Sequence, residues 1–381
     1  MHKRLLHKDI TLLVALAVII VIGIVMLSSA SSVLGFQRFG NSYYYVKRQI
    51  EFGIIPGLLG IALLVFIEPS MLRRLAVPLY AVTLLLLVLV FVPSVGEHLD
   101  RASRWIKIGG YLLQPSEIMK LASILFASRW LSSRSPDQLS RWKEGITPYL
   151  GFVALTGGLV ILEPDMGTTL VIVSTLIALL FFAGVQMRVF GTILLSGAIF
   201  ALLLIVVSPY RLERMKTFLN HSNDTQGASY HVNQALVGVS SGGWFGRGLG
   251  RSVQKLQYLP EVTSDSLFAI MAEELGFFML IPIILLLFWI VRRCLLTAEH
   301  APDRFQQLVC AGVAVWLAVQ TTINISANVG LLPFTGVPLP FLSHGGTSMM
   351  MVISAVGIVF VCSHGQGTTS SPIRVRSVAR V

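Results

Sequence analysis

Residues 230–276 read YHVNQALVGVSSGGWFGRGLGRSVQKLQYLPEVTSDSLFAIMAEELG. The segment opens polar, basic and glycine-rich. It closes in an apolar run, and it carries one carboxylate, Asp265, across that boundary. On either side the chain alternates long apolar runs with short charged connectors. A spanning helix needs roughly 20 apolar residues, and uncharged runs of about that length recur. Residues 230–276 are therefore the long polar connector of a membrane protein, delivering an ionisable group to the membrane edge.

Composition agrees. Of 381 residues, 54% are hydrophobic and only 12% charged, with a mean hydropathy of +0.77. About a quarter of a globular chain is charged. The short alternating strands of a membrane β-barrel are absent. The expected fold is all-α and polytopic, with about ten transmembrane helices. The expected spans are 10–30, 50–67, 75–92, 116–131, 146–162, 168–187, 189–208, 266–291, 306–330 and 345–362. A large extracytoplasmic loop, about 209–265, separates helices 7 and 8, and both ends are cytoplasmic. One membrane domain covers 1–363; the tail, 364–381, is Gly/Ser/Thr-rich, then basic, and expected to be disordered.

The net charge of +11 does not require nucleic acid, because the positive-inside rule accounts for much of it. Arg73, Arg74, Arg129, Arg134, Arg292, Arg293 and Arg304 all fall in inner segments. The outer surplus, around 101–107 and in the long loop, needs another reason, and an anionic substrate is one candidate. Three cysteines without a CxxC pattern and eight histidines without ligand spacing argue against disulfides and structural zinc. Residues 10–37 are uncharged and follow Lys3, Arg4 and Lys8. Their apolar core is slightly long for a signal peptide with Ser29-Ala30-Ser31 as its cleavage site, so a retained first span is expected.

Residues 101–120 read as an outer loop followed by a helix start at Gln114-Pro115-Ser116. Glu117 and Lys120 are three apart and share a helix face. Two readings stand: a self-neutralising ion pair, or a pair lining a functional cavity, which is the default for charges at membrane depth. Around the tight turn at Pro164, Asp165 is a candidate cap for the next helix. Arg211, Glu213, Arg214 and Lys216 suggest an interfacial helix. Six glycines in 238–250 permit close backbone approach and anion-binding nests. A nucleotide fingerprint is disfavoured, since no βαβ unit surrounds them. The Pro- and Gly-rich connector 328–348 reads as a re-entrant or buried outer loop.

Together these motifs resemble the SEDS family of peptidoglycan glycosyltransferases, named for shape, elongation, division and sporulation. The resemblance rests on Ser29-Ala30-Ser31, Arg48-Gln49, Arg104-Trp105, Gln114-Pro115-Ser116-Glu117 with Lys120, and Glu163-Pro164-Asp165 with Gly167. It continues through Gln234, Gly246-x-Gly248, Leu259-Pro260-Glu261, Asp265, Glu273-Glu274-Leu275-Gly276, Asn324, Gly330, Pro333, Gly336, Pro340 and Ser343-x-Gly345-Gly346-x-Ser348. It covers nearly the whole chain in order. Residues 248–261 are similar to the division branch, while Val337-Pro338-Leu339-Pro340 leans towards the elongation branch. Departures occur at Thr263, Ser264, Ser266 and His344, where the family usually has His, Thr, Phe and Tyr.

The resemblance implies a bacterial cytoplasmic-membrane enzyme, its active site facing outside, that polymerises lipid II during cell division. It implies Asp265 as general base and the lipid pyrophosphate as leaving group. Arg48, Arg104, Lys120, Arg247, Arg251 and Lys255 become candidates for the pyrophosphate, with Glu117, Glu261 and Ser343 at the cavity. Glu273 lies eight residues beyond Asp265, about 12 Å along a helix. That distance makes Glu273 and Glu274 supporting groups paired within the bundle. A divalent cation, Mg2+ or Mn2+, is implied with ligands unassigned; no organic cofactor is. Implied partners are lipid II, a class B penicillin-binding transpeptidase, other divisome membrane proteins and membrane lipids, without nucleic acid. A lipid II flippase and an elongation-type polymerase are the rival activities, and a non-catalytic scaffold for the transpeptidase is a third reading.

Overall fold

Helices follow the apolar runs, because a backbone removed from water must bond within its own segment. The computed structural model describes residues 2–92, 96–99, 102–207, 212, 215, 229–256 and 259–364. The expected interfacial helix at 211–216 and the tail beyond 364 fall outside them, apart from residues 212 and 215. In chain order come α1 (His2–Phe39), α2 (Tyr44–Gln49), a π-helical segment (Ile50–Ile54), α3 (Ile55–Leu64) and α4 (Pro69–Leu89). A small sheet follows: β1 (Gly96–Leu99), β2 (Ala102–Ile108) and β3 (Tyr111–Leu113). Then come α5 (Pro115–Ser132), α6 (Pro136–Ser140), a second π segment (Trp142–Ile146), α7 (Thr147–Leu162), α8 (Met166–Phe182) and α9 (Met187–Val207). The last are α10 (Ser229–Gly242), α11 (Leu267–His300), α12 (Arg304–Asn328) and α13 (Gly346–His364).

Six of these stretches, among the described residues, are long and apolar enough to cross a membrane: those around α1, α4, α7, α11, α12 and α13. Ten were expected, and the difference has local causes. The second expected span is divided by its π segment, and α8 is only 17 residues long. Helix α9, Met187–Val207, covers the seventh expected span. Helix α5 is too polar, yet Glu117, Lys120 and most of its residues are buried among neighbouring helices. Protein rather than lipid meets its charges, as its weak hydropathy requires.

Two departures from expectation lie in the connectors. The outer loop before α5 is an antiparallel sheet, with Glu97 opposite Trp105 and Lys107 opposite Leu112. Its second turn uses Gly109 and Gly110, both at positive φ (56° and 81°), as a tight hairpin twisting with its strands requires. The connector between the fourth and fifth expected spans contains α6, opened by a capping box between Ser135 and Gln138.

Lipid tails remove the water that drives helix association, so close van der Waals fit must hold the bundle. Gly57 shows this: a Cβ there would lie 2.8 Å from the Ile353 side chain, so Ile353 of α13 packs directly against the backbone of α3. One apolar core joins α1, α11, α12 and α13. A second lies between α4, α5, α7 and α8, where buried Tyr149 donates to the Leu176 carbonyl at 2.7 Å.

The fold's main irregularity is in α11. Gly276 has φ 68° and ψ 178°, which interrupts the helical ladder. Phe277 N and Phe278 N donate to Gly243 O (3.0 Å) and Trp244 O (3.1 Å). The freed carbonyls of Glu273 and Glu274 accept instead from Arg247 N (2.9 Å) and Gly248 N (3.0 Å). The connector after α10 is thereby spliced into the helix. A Cβ at residue 276 would lie 2.1 Å from Gly246 N. Gly276→Ala should therefore lose about 3 kcal/mol of stability from strain and overlap. Gly158→Ala, with nothing within 4 Å of its Cβ, should stay within about 1 kcal/mol of wild type, on the stabilising side. Thermal unfolding in detergent compares the two.

Candidate active site

Asp265 ends a turn-rich segment that feeds α11. Glu261 lies in the left-handed region (φ 49°), uncommon for a residue with a side chain and a mark of locally over-determined structure. Its carbonyl accepts from Ser264 N (3.1 Å) and Ser266 N (3.3 Å), reversing the chain. The Asp265 carbonyl is then held by two asparagines one turn apart on α12, Asn324 Nδ2 at 2.9 Å and Asn328 Nδ2 at 2.8 Å. Asp265 itself is 7% exposed. It precedes the N-terminus of α11, whose dipole favours an anion there. Ser266 Oγ lies 3.5 Å from Asp265 Oδ1 and 2.6 Å from His231 Nε2, and His231 stacks on Phe334.

Beside this turn opens a cavity of about 740 Å³. Residues 259–264 form one wall, the ends of α1 and α2 another, and Trp105, Tyr111 and residues 344–346 the rest. Three cations reach it: Arg38, Arg48 and Lys255. Arg48 lies over the rings of Tyr44 and Phe52, with Nη1 donating to the Gly110 carbonyl at 3.3 Å. Its guanidinium is thus set in place before any ligand arrives. Lys255 is buried and donates to Glu274 Oε1 at 3.1 Å, so its charge is already matched. Glu261 is the exposed carboxylate of the lining. Burial, with the Arg48 charge added, pushes His344 down to about 4, leaving it neutral at physiological pH. Gln49 braces this wall by donating to Ser343 O (3.1 Å) and accepting from Gly345 N (2.9 Å). His344 N donates to Thr263 O at 2.7 Å and ties the two loops together.

The sequence-based candidates are thus sorted. Arg48, Glu261 and Lys255 line the cavity, Asp265 adjoins it, and Ser343 lies beneath it, its Oγ accepting from Leu339 N at 3.0 Å. Glu117 and Lys120 do not wall it. They form a buried 2.7 Å ion pair deeper in the bundle, where Lys120 Nζ also donates to Gln320 Oε1 and faces the Trp316 ring. Arg104 is a strut: its guanidinium donates to the Glu163 and Pro164 carbonyls. Arg247 pairs with Glu273 at 3.2 Å, away from the cavity. The anion nest that forms lies past the glycines of 238–250, at residues 252–254, and its occupant is the protein's own Glu273. That carboxylate accepts from Ser252 Oγ (2.5 Å), Val253 N (3.1 Å) and Gln254 N (3.3 Å). Glu274 accepts from Ser29 Oγ at 2.7 Å as well as from Lys255. Asp165 Oδ1 accepts from Thr168 N at 3.0 Å and caps α8.

Sequence reasoning missed Arg38 and His231, and it named Asn324 only as a motif residue, without the clamp it forms with Asn328. Arg38 carried a signal, a cation at the outer end of the first span against the positive-inside trend. The asparagines carried a weaker one, two amides four apart in an uncharged helix. No cluster of three or more metal-ligating side chains occurs among the described residues. Magnesium at phosphate sites needs only one or two carboxylates, with substrate oxygens and water completing the shell. Glu261 at the cavity fits that mode of binding.

Comparison with known proteins is consistent along the chain. Residues 10–367 match the FtsW/RodA/SpoVE family, described as "Cell cycle protein". The "Probable peptidoglycan glycosyltransferase FtsW" of Trichlorobacter lovleyi is 39% identical, covering 95% of this chain and 94% of that protein. "Stage V sporulation protein E" of Bacillus subtilis is 36% identical, over 94% and 98%. Among solved structures, a chain described under "Structural coordination of polymerization and crosslinking by a peptidoglycan synthase complex" aligns with a TM-score of 0.77 and 26% identity, over 94% and 98%. An aspartate-to-alanine mutant of the rod shape determining protein RodA from Thermus thermophilus aligns at 0.70 and 25%, over 94% and 98%.

Two side-chain environments make separate predictions. Glu163 is fully buried and neither carboxylate oxygen has a partner. Burial first, then Asp165, pushes it up to about 9, against the pull of Arg104. The folded state therefore holds a proton that the unfolded state releases near pH 4.5. Its stabilising effect is complete below that pH and is lost as pH rises through about 9. The unfolding temperature should fall between about pH 5 and pH 9, and Glu163→Gln should flatten that dependence. Lys120→Met leaves Glu117 buried and unpaired and should cost about 3–5 kcal/mol. Adding Glu117→Gln should restore most of that loss in the same unfolding assay.

Proposed function

The chain belongs to the FtsW/RodA/SpoVE family of cell-cycle proteins, and from this premise we propose that it is a peptidoglycan glycosyltransferase that polymerises lipid II at the outer face of the bacterial cytoplasmic membrane during division. The observation that carries the reading is Asp265 beside a cavity holding Arg38, Arg48 and Lys255. Carboxylate and cations are what the reaction needs on its two sides. The 4-hydroxyl of one GlcNAc attacks the anomeric carbon of another unit's MurNAc. A carbon–oxygen bond forms there as the bond to the lipid pyrophosphate breaks.

Asp265 takes the hydroxyl proton as that bond forms, and the electron pair leaves with the pyrophosphate. Proton acceptance by a positioned base typically contributes ~10²–10⁴-fold. The asparagine clamp on its carbonyl fixes the backbone from which this carboxylate extends. Arg48, held by Tyr44, Phe52 and the Gly110 carbonyl, is poised to meet the departing charge with charge-assisted hydrogen bonds. Arg38 adds a second guanidinium to the same cavity. Lys255 is matched by Glu274 and shapes the wall more than it supplies net charge. Glu261 is the residue that would hold Mg2+ or Mn2+. The ion would supply further neutralisation of the leaving group. A class B transpeptidase is the proposed partner, since newly polymerised strands require crosslinking.

The decisive assay supplies purified chain, with its transpeptidase partner, with lipid II and Mg2+. Wild type should yield glycan polymer, and Asp265→Ala should lower the rate at least ~10²-fold. Chelation should suppress the wild-type reaction until Mg2+ is restored. Equal polymer from both proteins would remove Asp265 as base. No polymer from either, with lipid II crossing vesicle membranes, would favour a flippase.

A further inference from the structure

A second cavity, about 760 Å³, lies at the opposite end of the bundle. It is bordered by the start of α4, the end of α5 and the start of α12. Gln306 in its lining and Asn324 of the asparagine clamp are 18 residues apart on α12, about 27 Å along the axis. This cavity and the Asp265 site are therefore separate.

Its lining is built around arginine. Arg73, Arg74 and Arg129 contribute three guanidinium groups, against one carboxylate, Asp303. Arg129 spans two helices: Nη1 donates to the carbonyls of Arg73 (2.9 Å) and Arg74 (3.3 Å). That strut holds α5 against α4 and fixes the first turns from which Arg73 and Arg74 project. Neither of those side chains has an ion-pair or hydrogen-bond partner among the described residues. Two helix N-termini, those of α4 and α12, meet the cavity, and neither Glu68 nor Asp303 makes a side-chain cap. Their dipoles add positive potential. Buried Gln306 also leaves its Oε1 without a donor.

The surroundings identify the occupant. Trp130 lines the cavity, as suits the level of the membrane interface. One turn beyond Arg73 and Arg74, Val77 also lines it and is 42% exposed, and Ala81, Leu84 and Val88 continue the same apolar helix face. Phosphate chemistry at the mouth and an apolar track leading from it fit a lipid. The chain's own ends carry the wrong charge: Lys3, Arg4 and Lys8 at one, Arg374, Arg376 and Arg380 at the other. The excess of guanidinium over carboxylate favours an anionic headgroup over a zwitterionic one.

We propose that this cavity binds the phosphodiester headgroup of an anionic phospholipid, phosphatidylglycerol in its chemistry, through Arg73 and Arg74 with Arg129 as brace. Asp303 accepts from a headgroup hydroxyl, and an acyl chain leaves along Val77. In the orientation proposed above, the lipid belongs to the cytoplasmic leaflet. Guanidinium groups suit the task because their planar forks engage two phosphate oxygens at once. Basic pockets between helices at this level are a known means of lipid recognition.

Native mass spectrometry of the full chain in detergent tests this, with phosphatidylglycerol, phosphatidylethanolamine and inorganic phosphate as probes. Wild type should retain one phosphatidylglycerol and bind phosphatidylethanolamine at least tenfold more weakly. The Arg73→Ala/Arg74→Ala variant should lose at least tenfold in affinity for phosphatidylglycerol. Arg188→Ala, an exposed cation on α9, should change nothing. If the alanine variant does not purify folded, Arg73→Lys/Arg74→Lys is read instead; its affinity should fall because an ammonium cannot fork. Wild-type affinity in the arginine variants would overturn the proposal. So would equal binding of the two lipids, an equal loss in Arg188→Ala, or displacement of phosphatidylglycerol by millimolar inorganic phosphate.

Discussion

The exchange of backbone hydrogen bonds at Gly276 is the constraint on which the Asp265 side of the molecule depends. An unbroken α11 would bond Glu273 O and Glu274 O to the amides of Phe277 and Phe278. Instead those amides serve Gly243 and Trp244, and Arg247 N and Gly248 N serve the two carbonyls. Both segments stay satisfied at a depth where an unpaired amide costs several kcal/mol. The exchange requires glycine, because the backbone there is left-handed and another backbone lies where a Cβ would be. Once made, it carries the connector back along the first turns of α11. Residues 259–266 are thereby returned to the start of the same helix.

Charge reinforces what the backbone arranges. Glu273 fills the nest of Ser252, Val253 and Gln254, while Glu274 gathers Ser29 and Lys255. A buried carboxylate is tolerable only when donors surround it, and Arg247, residues 252–255 and Ser29 supply them. The same two residues thus hold the connector by main chain and by side chain. Cations spent in this way are lost to a ligand. Arg247 and Arg104 are largely consumed by the fold, whereas Arg48 is oriented by aromatic rings and a single carbonyl. That division separates structural arginines from those able to meet an incoming anion.

Much of the architecture was legible in advance. Uncharged runs mark helices because hydrocarbon tolerates little else, and the placement of prolines and glycines marks the breaks. The polarity of α5 marked the Glu117–Lys120 pair without deciding between an internal ion pair and a cavity lining, and the structure buries it as a pair. The hairpin around Gly109 and Gly110 was also written locally, in a glycine pair between two short β-prone runs, but it was read as loop because the surrounding class was helical. The glycines of 238–250 give the close backbone approach expected of them, whereas the donors that hold an anion, Ser252, Val253 and Gln254, lie just beyond them. A nest specifies an anion without saying whether the anion belongs to a ligand or to the chain.

The sequence by itself determined the class of protein, the family and the boundary position of Asp265, because hydropathy and motif spacing are properties of the linear chain. Tertiary structure decided which charges are available. Glu117 and Lys120 share a helix face in any α5, but burial beside Gln320 and Trp316 turns them into an internal brace. Arg38 becomes part of the cavity only because α1 ends beside residues 259–264 and 344–346. Asn324 and Asn328 matter only because the Asp265 carbonyl comes within 3 Å of both. Such outcomes depend on distances between residues far apart in sequence. Electrostatic and hydrogen-bond energies fall steeply with those distances, and no local pattern encodes them.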